Sequence, residues 1–322
     1  MTADKIPIPI VDITNLSSSD LAVRTKVARE IGTACRETGF FFITGHGVNE
    51  SCLSKIFDES ARFFNMSTSD KEKNSIRNSP HNRGYVNLGV ENLGVSGKDR
   101  KEAFNIGTDY NPESPEVLQK IPFCGVNEWP NLPGWKENML DYHAKCTGIV
   151  KLLHKAFCID LGIDESFFDD KISSPIATLR LLHYPAGDGN SDTRPDAGAG
   201  THTDYGNVTL LTTNGVSGLQ VQTRDMKWID APHIPGAFVC NIGDLLMRWT
   251  NNAYMSTPHR VRVPTKERYS IAFFFEPNST TTVDARDLDK NVQPLYPPIK
   301  TYEYLNQRFS QTYNHISETT AT

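Results

Sequence analysis

The chain has 322 residues, 38% of them hydrophobic, which is enough to bury a large core within one elaborated domain. A formal net charge of -5, with no long Lys/Arg run, excludes nucleic acid or an anionic membrane as the main partner. Six cysteines, Cys35, Cys52, Cys124, Cys146, Cys158 and Cys240, form no C-x-x-C pair, and several sit in apolar runs, as expected in a reducing compartment. Residues 1–12 lack a charged region followed by an apolar one, no apolar run approaches membrane-spanning length, and the last three residues are not a peroxisomal signal. A soluble cytoplasmic protein is the expectation.

In chain order, residues 6–13 alternate isoleucines with Pro7 and Pro9 and read as an edge strand, where proline is tolerated. Apolar residues from Leu21 through Val27, Ile31, Ala34 and Cys35 recur at helical spacing, with Ser19 or Asp20 as cap and Gly39 as the stop. Phe40 to Ile43 is a buried strand closed by a turn at His46, which is read as a turn residue and not a ligand. A second helix spans Leu53 to Phe64, and Ser69 with Glu72 fits a capping box for the helical turn after it.

Residues 78–97 carry four glycines without periodicity and read as a long loop or loose ribbon, with Lys101 to Phe104 resuming as a strand. Trp129 and Trp135 belong to a second irregular segment, where packing under a loop is expected. Met139 to Leu161 is the strongest helical pattern, ended by Gly162. His143 and His154 lie on it eleven apart, not at the spacing of a zinc pair, and are expected at the surface or an interface.

Eight short strand candidates follow: 177–184, 200–205, 208–212, 219–223, 227–230, 237–242, 259–263 and 269–275. Eight strands in two sheets is the jelly-roll count. A last helix is expected over 302–313. The predicted fold is therefore mainly β with flanking helices: a double-stranded β-helix (jelly-roll, cupin-like) core behind a helical N-terminal region. Residues 1–110 form that region, 111–172 a connecting loop and long helix, 173–280 the core, and 281–322 a C-terminal helix and tail, all in one integrated domain.

Within the core, Gly200 to Gly206 contains His202 and Asp204, which share a face of an extended strand. An imidazole and a carboxylate on one face, joined by a distant histidine, make the facial triad of non-haem Fe(II) oxygenases. Of His183, His233, His259 and His315, His259 is preferred because it opens a strand on the same face as Val261 and Val263. Further on, Arg268, Ser270, Ala272 and Phe274 share one strand face. An arginine fork beside a hydroxyl suits a carboxylate.

The set H-x-D, a distal histidine and R-x-S resembles the isopenicillin-N-synthase-like family of Fe(II)- and 2-oxoglutarate-dependent oxygenases. Further matches are Gly39 to Phe41, His46 to Val48, Gly218 to Val221 and Gly243 to Leu245, so the resemblance covers nearly the whole chain. It implies that His202, Asp204 and His259 hold Fe(II), and that Arg268, Ser270 and Tyr184 bind 2-oxoglutarate. Many plant members have Asn where Leu182 stands, so the co-substrate's hydrogen bonds differ from theirs.

The stretches 181–185 and 202–206, with Arg248, Trp249 and Asn251, are closer to the fungal thymine 7-hydroxylase branch. That likeness assigns Arg180, Tyr205 and Phe274 to the substrate pocket. Phe274 also follows from strand parity, whereas Tyr205 requires the Gly206 turn to re-aim it. Arg83, Tyr85, Glu102 and Phe104 resemble the family's substrate-side loop and ribbon.

The implied activity is hydroxylation, or desaturation, of a small organic molecule. It consumes O2, decarboxylates 2-oxoglutarate to succinate and CO2, and uses ascorbate as an auxiliary reductant. The partner is a small molecule and the protein a monomer. Two alternatives are an Fe(II) oxidase of the same fold that does not use 2-oxoglutarate and a metal-occupied non-catalytic binding protein.

Overall fold

A computed structural model describes residues 8–91, 93, 98–187 and 196–312. Strand β1 (Ile10–Asp12) lies at a sheet edge, pairing in parallel with β2 (Phe40–Thr44). Helix α1 (Leu21–Glu37) connects them; the Asp20 carboxylate caps it by accepting the Ala22 N–H. Gly39 then turns the chain at φ +66°, where a side chain would meet the Met255 carbonyl.

Helix α2 (Glu50–Phe64) is capped by Asn49. The next turn, α3 (Thr68–Glu72), is capped by Ser67 and not by Ser69. The Ser67 hydroxyl accepts the Asp70 N–H, so Ser69 already lies inside the helix and the Ser69/Glu72 box does not form. Within the expected loop 78–97, Gly84–Val86 is a strand, β3, paired with β4 (Glu102–Gly107). Residues 92 and 94–97 lie outside the described ones.

After α4 (Pro115–Leu118) comes α5 (Trp135–Leu161), which begins four residues before the expected Met139. Trp135 is fully buried and donates its indole N–H to the Glu59 carbonyl, 3.0 Å away. His143 and His154 are buried, contrary to expectation, because α5 packs against α1 and α2 and also against strands of the large sheet. His154 is sealed between the Val150 carbonyl at 2.8 Å and the Asn207 amide at 3.0 Å, and burial pushes its imidazole down to about 4.

All eight expected core strands form: β5 (Pro175–Tyr184), β6 (Ala199–His202), β7 (Val208–Thr213), β8 (Leu219–Gln222), β9 (Trp228–Asp230), β10 (Phe238–Ile242), β11 (His259–Val261) and β12 (Arg268–Asn278). They divide four and four. The small sheet runs β6-β11-β8-β9, and β10, β7, β12 and β5 form the middle of an eight-stranded sheet in the order β1-β2-β10-β7-β12-β5-β4-β3. This is a jelly-roll core extended by N-terminal strands.

A short helix, α6 (Asp244–Trp249), follows β10. Strands β13 (Thr282–Val283) and β14 (Ile299–Lys300) pair separately, and α7 (Thr301–Thr312) closes the described chain; the expected helix end, Tyr313, lies outside the described residues.

The large sheet has two buried faces. Tyr269, Ile271, Phe273 and Phe275 of β12 join Phe104 and Leu181 in a core with the helices. Alternate residues such as Ala272 and Leu182 face Leu219, Val221 and Val261 of the small sheet. Between the two sheets lies the main cavity. No helix among the described residues is long and apolar enough to cross a membrane.

Candidate metal centre and cavity

His202 and His259 are Cα partners across β6 and β11, which sets their rings 4.3 Å apart. Each ring is oriented by its other nitrogen: His202 Nδ1 meets the Gly200 carbonyl at 2.6 Å, and His259 Nδ1 the Thr257 carbonyl at 3.1 Å. With Nδ1 carrying the proton, both Nε2 lone pairs face inward.

Asp204 does not lie on β6, which ends at His202, so the expected strand 200–205 is shorter. The backbone leaves the sheet there because the Asp204 and Tyr205 carbonyls accept the first N–H groups of α6, from Asp244 and Leu245. That departure also brings Tyr205 to the cavity. Thr209 and Asn241, a cross-strand pair on β7 and β10, hold Asp204 Oδ2 at 2.6 and 2.7 Å. Oδ1 remains, 3.8 Å from His202 Nε2 and 3.5 Å from His259 Nε2.

The ligand atoms of the three residues lie within 4.8 Å of one another. Two neutral nitrogens and one carboxylate oxygen, each held by a bond on its far side, fit a divalent iron with open positions. Burial and the neighbouring His259 push the His202 imidazole down to about 3, so it is a neutral donor. Burial opposes the charge of Asp204, but the two imidazoles and Asn241 outweigh it and hold the carboxyl well below its ordinary range. At His259 burial opposes protonation, and the Asp204 carboxylate reverses the sign and raises it.

Arg268 opens β12 on the cavity side and is 1% exposed. Its Nη1 donates to Ser270 Oγ at 3.2 Å, its Nε to the Val216 carbonyl at 3.2 Å, and its guanidinium stands 4.8 Å from the Tyr184 ring centre. No carboxylate among the described residues pairs with it. A buried guanidinium without an anion is a receptor for one.

Arg180, Tyr205 and Phe274 line the same cavity. Arg180 pairs with Glu91 at 2.6 Å; Glu91 meets Lys101, which meets Asp99, and Asp99 accepts the Gly200 N–H at 3.0 Å. This chain of charges ties the cavity wall to the strand carrying His202. Tyr205 is covered by α7, with Phe309 at 5.7 Å and the Arg308 guanidinium 4.4 Å from its ring.

The other four substrate candidates are placed elsewhere. Tyr85, Glu102 and Phe104 point to the helix side: Phe104 packs on Phe63 and Trp135, while the Tyr85 hydroxyl and Lys71 both bond Glu102. Strand parity is the reason, since on β4 it is Asn105 that faces the cavity. Arg83 is buried behind the wall over Gly107, donating to the Phe123 carbonyl. His183 lies between Glu102 and Glu267, His46 bonds the Gly236 carbonyl, and His315 lies outside the described residues.

Sequence reasoning missed Thr209, Asn241, Glu91, Asn105, Glu276 and Phe309. Of these, Glu276 was within reach of the parity that singled out Phe274.

Residues 8–132 match the non-haem dioxygenase in morphine synthesis N-terminal family, and residues 175–277 match the 2OG-Fe(II) oxygenase superfamily. A 2-oxoglutarate-Fe(II) type oxidoreductase of Emericella nidulans is 32% identical, over 95% of this chain and 90% of the relative. A homoarginine-6-hydroxylase of Glycine max is 35% identical, over 90% of this chain and 91% of the relative. A full-length thymine hydroxylase-like oxygenase of Neurospora crassa, crystallised with alpha-KG and thymine, superposes with a TM-score of 0.82 at 28% identity, covering 97% of this chain and 98% of that one. The chain thus belongs to the 2OG-Fe(II) oxygenase superfamily, as a non-haem dioxygenase that uses Fe(II), 2-oxoglutarate and O2 to oxidise a small molecule.

Proposed function

We propose that His202, Asp204 and His259 hold the iron, that Arg268, Ser270 and Tyr184 hold the distal carboxylate of 2-oxoglutarate, and that Arg180, Tyr205 and Phe274 line the site of a planar, polar small molecule. The observation that carries this reading is the pairing, in a single cavity, of a metal-compatible triad with a buried guanidinium that has no carboxylate partner among the described residues. Iron bound there supplies activation of O2, coupling the decarboxylation of 2-oxoglutarate to oxidation of a substrate C–H bond.

The chain's own residues do the rest. Thr209 and Asn241 keep Asp204 from rotating, so Oδ1 alone faces the metal position. The Gly200 and Thr257 carbonyls fix both imidazole tautomers. Arg268 neutralises the incoming dicarboxylate at the end remote from the metal, with the Ser270 hydroxyl as a second donor. Leu182, Leu211, Leu219 and Val261 keep the space between dry.

That the Neurospora crassa oxygenase was crystallised with thymine supports a flat ring as substrate, for which Phe274 and Tyr205 supply aromatic lining. All these residues come from one chain, so a monomer suffices. Six free thiols support a reducing, cytoplasmic setting.

The test is succinate release by metal-free protein reconstituted with Fe(II). Release that needs Fe(II), O2 and 2-oxoglutarate together is expected. Oxygen consumption that proceeds without 2-oxoglutarate would replace this reading with that of an oxidase.

A further inference from the structure

Five residues of β12 face the cavity in alternation, Arg268, Ser270, Ala272, Phe274 and Glu276. The strip begins with a cation and ends with an anion. The two ends are not equally satisfied. Glu276 is 6% exposed, and its Oε2 has no hydrogen-bond partner among the described residues. Arg83 is the cation that acts on it, but no ion pair joins them: Arg83 Nη2 is committed to the Phe123 carbonyl and its Nε bonds nothing.

A second acceptor shares this condition. Asn105, 1% exposed, donates its amide to the Asn82 carbonyl at 3.3 Å and leaves Oδ1 unpartnered. Both residues line the cavity that holds the triad. Leaving a buried acceptor unbonded is costly, and most such groups in native proteins are satisfied. Burial and the nearby Asp204 together push the Glu276 carboxyl up to about 8, a further sign that its charge lacks a close counterpart.

We infer that Glu276 is a specificity-determining residue, and that the substrate is a planar nitrogen compound whose N–H groups bond Glu276, with Asn105 as a second acceptor. An apolar acid would leave both oxygens buried and unbonded. Two sources carry this chemistry: a guanidinium or amidinium cation, and the neutral imide edge of a heterocycle. The inference rests on the assignment of the Arg268 end to 2-oxoglutarate, since that leaves the Glu276 end for the substrate.

The experiment uses the Fe(II)–2-oxoglutarate holoenzyme under anaerobic conditions and follows its visible charge-transfer band while a probe is added. The probes are homoarginine, thymine and a phenylalkanoic acid without N–H groups; thermal melting checks that each variant is folded. At least one N–H probe is expected to perturb the band, and Glu276→Leu to weaken that probe about 10- to 100-fold while the band itself persists. Glu276→Gln separates the sources, because the neutral amide keeps an acceptor for an imide but loses the charge that a guanidinium needs.

Failure of both N–H probes to bind, equal binding of the acid, or unchanged binding in Glu276→Leu would overturn the inference and leave the cofactor assignment standing. Absence of the band in the wild type would instead remove the cofactor assignment, and this inference with it.

Discussion

Two polar clusters stand back to back across the eight-stranded sheet, and they are built to opposite specifications. On the helix side Glu102 accepts from Lys71 at 2.7 Å, from Tyr85 at 2.5 Å and meets His183 at 2.8 Å, while the other nitrogen of His183 meets Glu267 at 2.8 Å. That network is closed on itself. On the cavity side, among the described residues, Arg268 has no anion, and Glu276 and Asn105 each keep an oxygen without a partner. Adjacent residues on β4, Phe104 and Asn105, face the helices and the cavity respectively. A saturated cluster holds the fold; an unsaturated one is completed by ligands.

The variants that break this comparison rank by their effect on turnover. Asp204→Ala removes the only anionic donor of the triad, so succinate release should fall below detection while the melting curve stays cooperative; retained activity would sink the metal assignment. Arg268→Met should raise the KM for 2-oxoglutarate about 100-fold, the loss of charged hydrogen bonds to a carboxylate. Steady-state kinetics would expose an unchanged KM. Asn241→Leu frees Asp204 Oδ2 on one side and should weaken Fe(II) binding about tenfold, read by equilibrium competition with a chelator.

Lys71→Met opens the closed network instead. It should cost about 3 kcal/mol of stability in denaturant unfolding and leave turnover per folded molecule unchanged.

The two carboxylates also sharpen the comparison through opposite pH dependence. Burial works against the Glu102 carboxylate, but hydrogen bonds from His183, Lys71 and Tyr85 outweigh it and hold its titration below the ordinary value. Its stabilisation is present above that ordinary value and lost as the pH falls through the lower, folded one. Glu276 is shifted the other way, to about 8, so its contribution is fully present below about pH 4.3 and lost as the pH rises toward 8. Glu276→Gln should therefore melt a few degrees above the wild type at pH 8 and show a smaller advantage at pH 5, in the absence of substrate. A constant difference across that range would contradict the assignment of an unpartnered carboxyl.

Much of this was legible in the sequence because alternation and spacing are local properties. The eight core strands, His259 and the cavity strip from Arg268 to Phe274 follow from period-two patterning, whereas the H-x-D pair was legible as a motif although Asp204 lies beyond the end of its strand. What was not legible depends on pairing between distant segments. Thr209 and Asn241 meet Asp204 only through the register of β7 with β10, and nothing in either segment alone points to it. The same holds for Glu91, which reaches Arg180 from the far side of a loop. Tyr85, Glu102 and Phe104 were assigned to the substrate by likeness, and the parity of β4 turns Glu102 and Phe104 the other way. His143 and His154 were expected at the surface or an interface and are buried, because a helix packed on two sides hides more than its apolar stripe.

The central claim is that one cavity holds iron on His202, Asp204 and His259 and 2-oxoglutarate on Arg268. An anaerobic titration of metal-free protein with Fe(II), with and without 2-oxoglutarate, tests it most directly. A visible charge-transfer band that needs both components, is absent in Asp204→Ala and requires far more 2-oxoglutarate in Arg268→Met is the predicted result. Iron binding without any such band in the wild type, or a band unchanged in both variants, would contradict it.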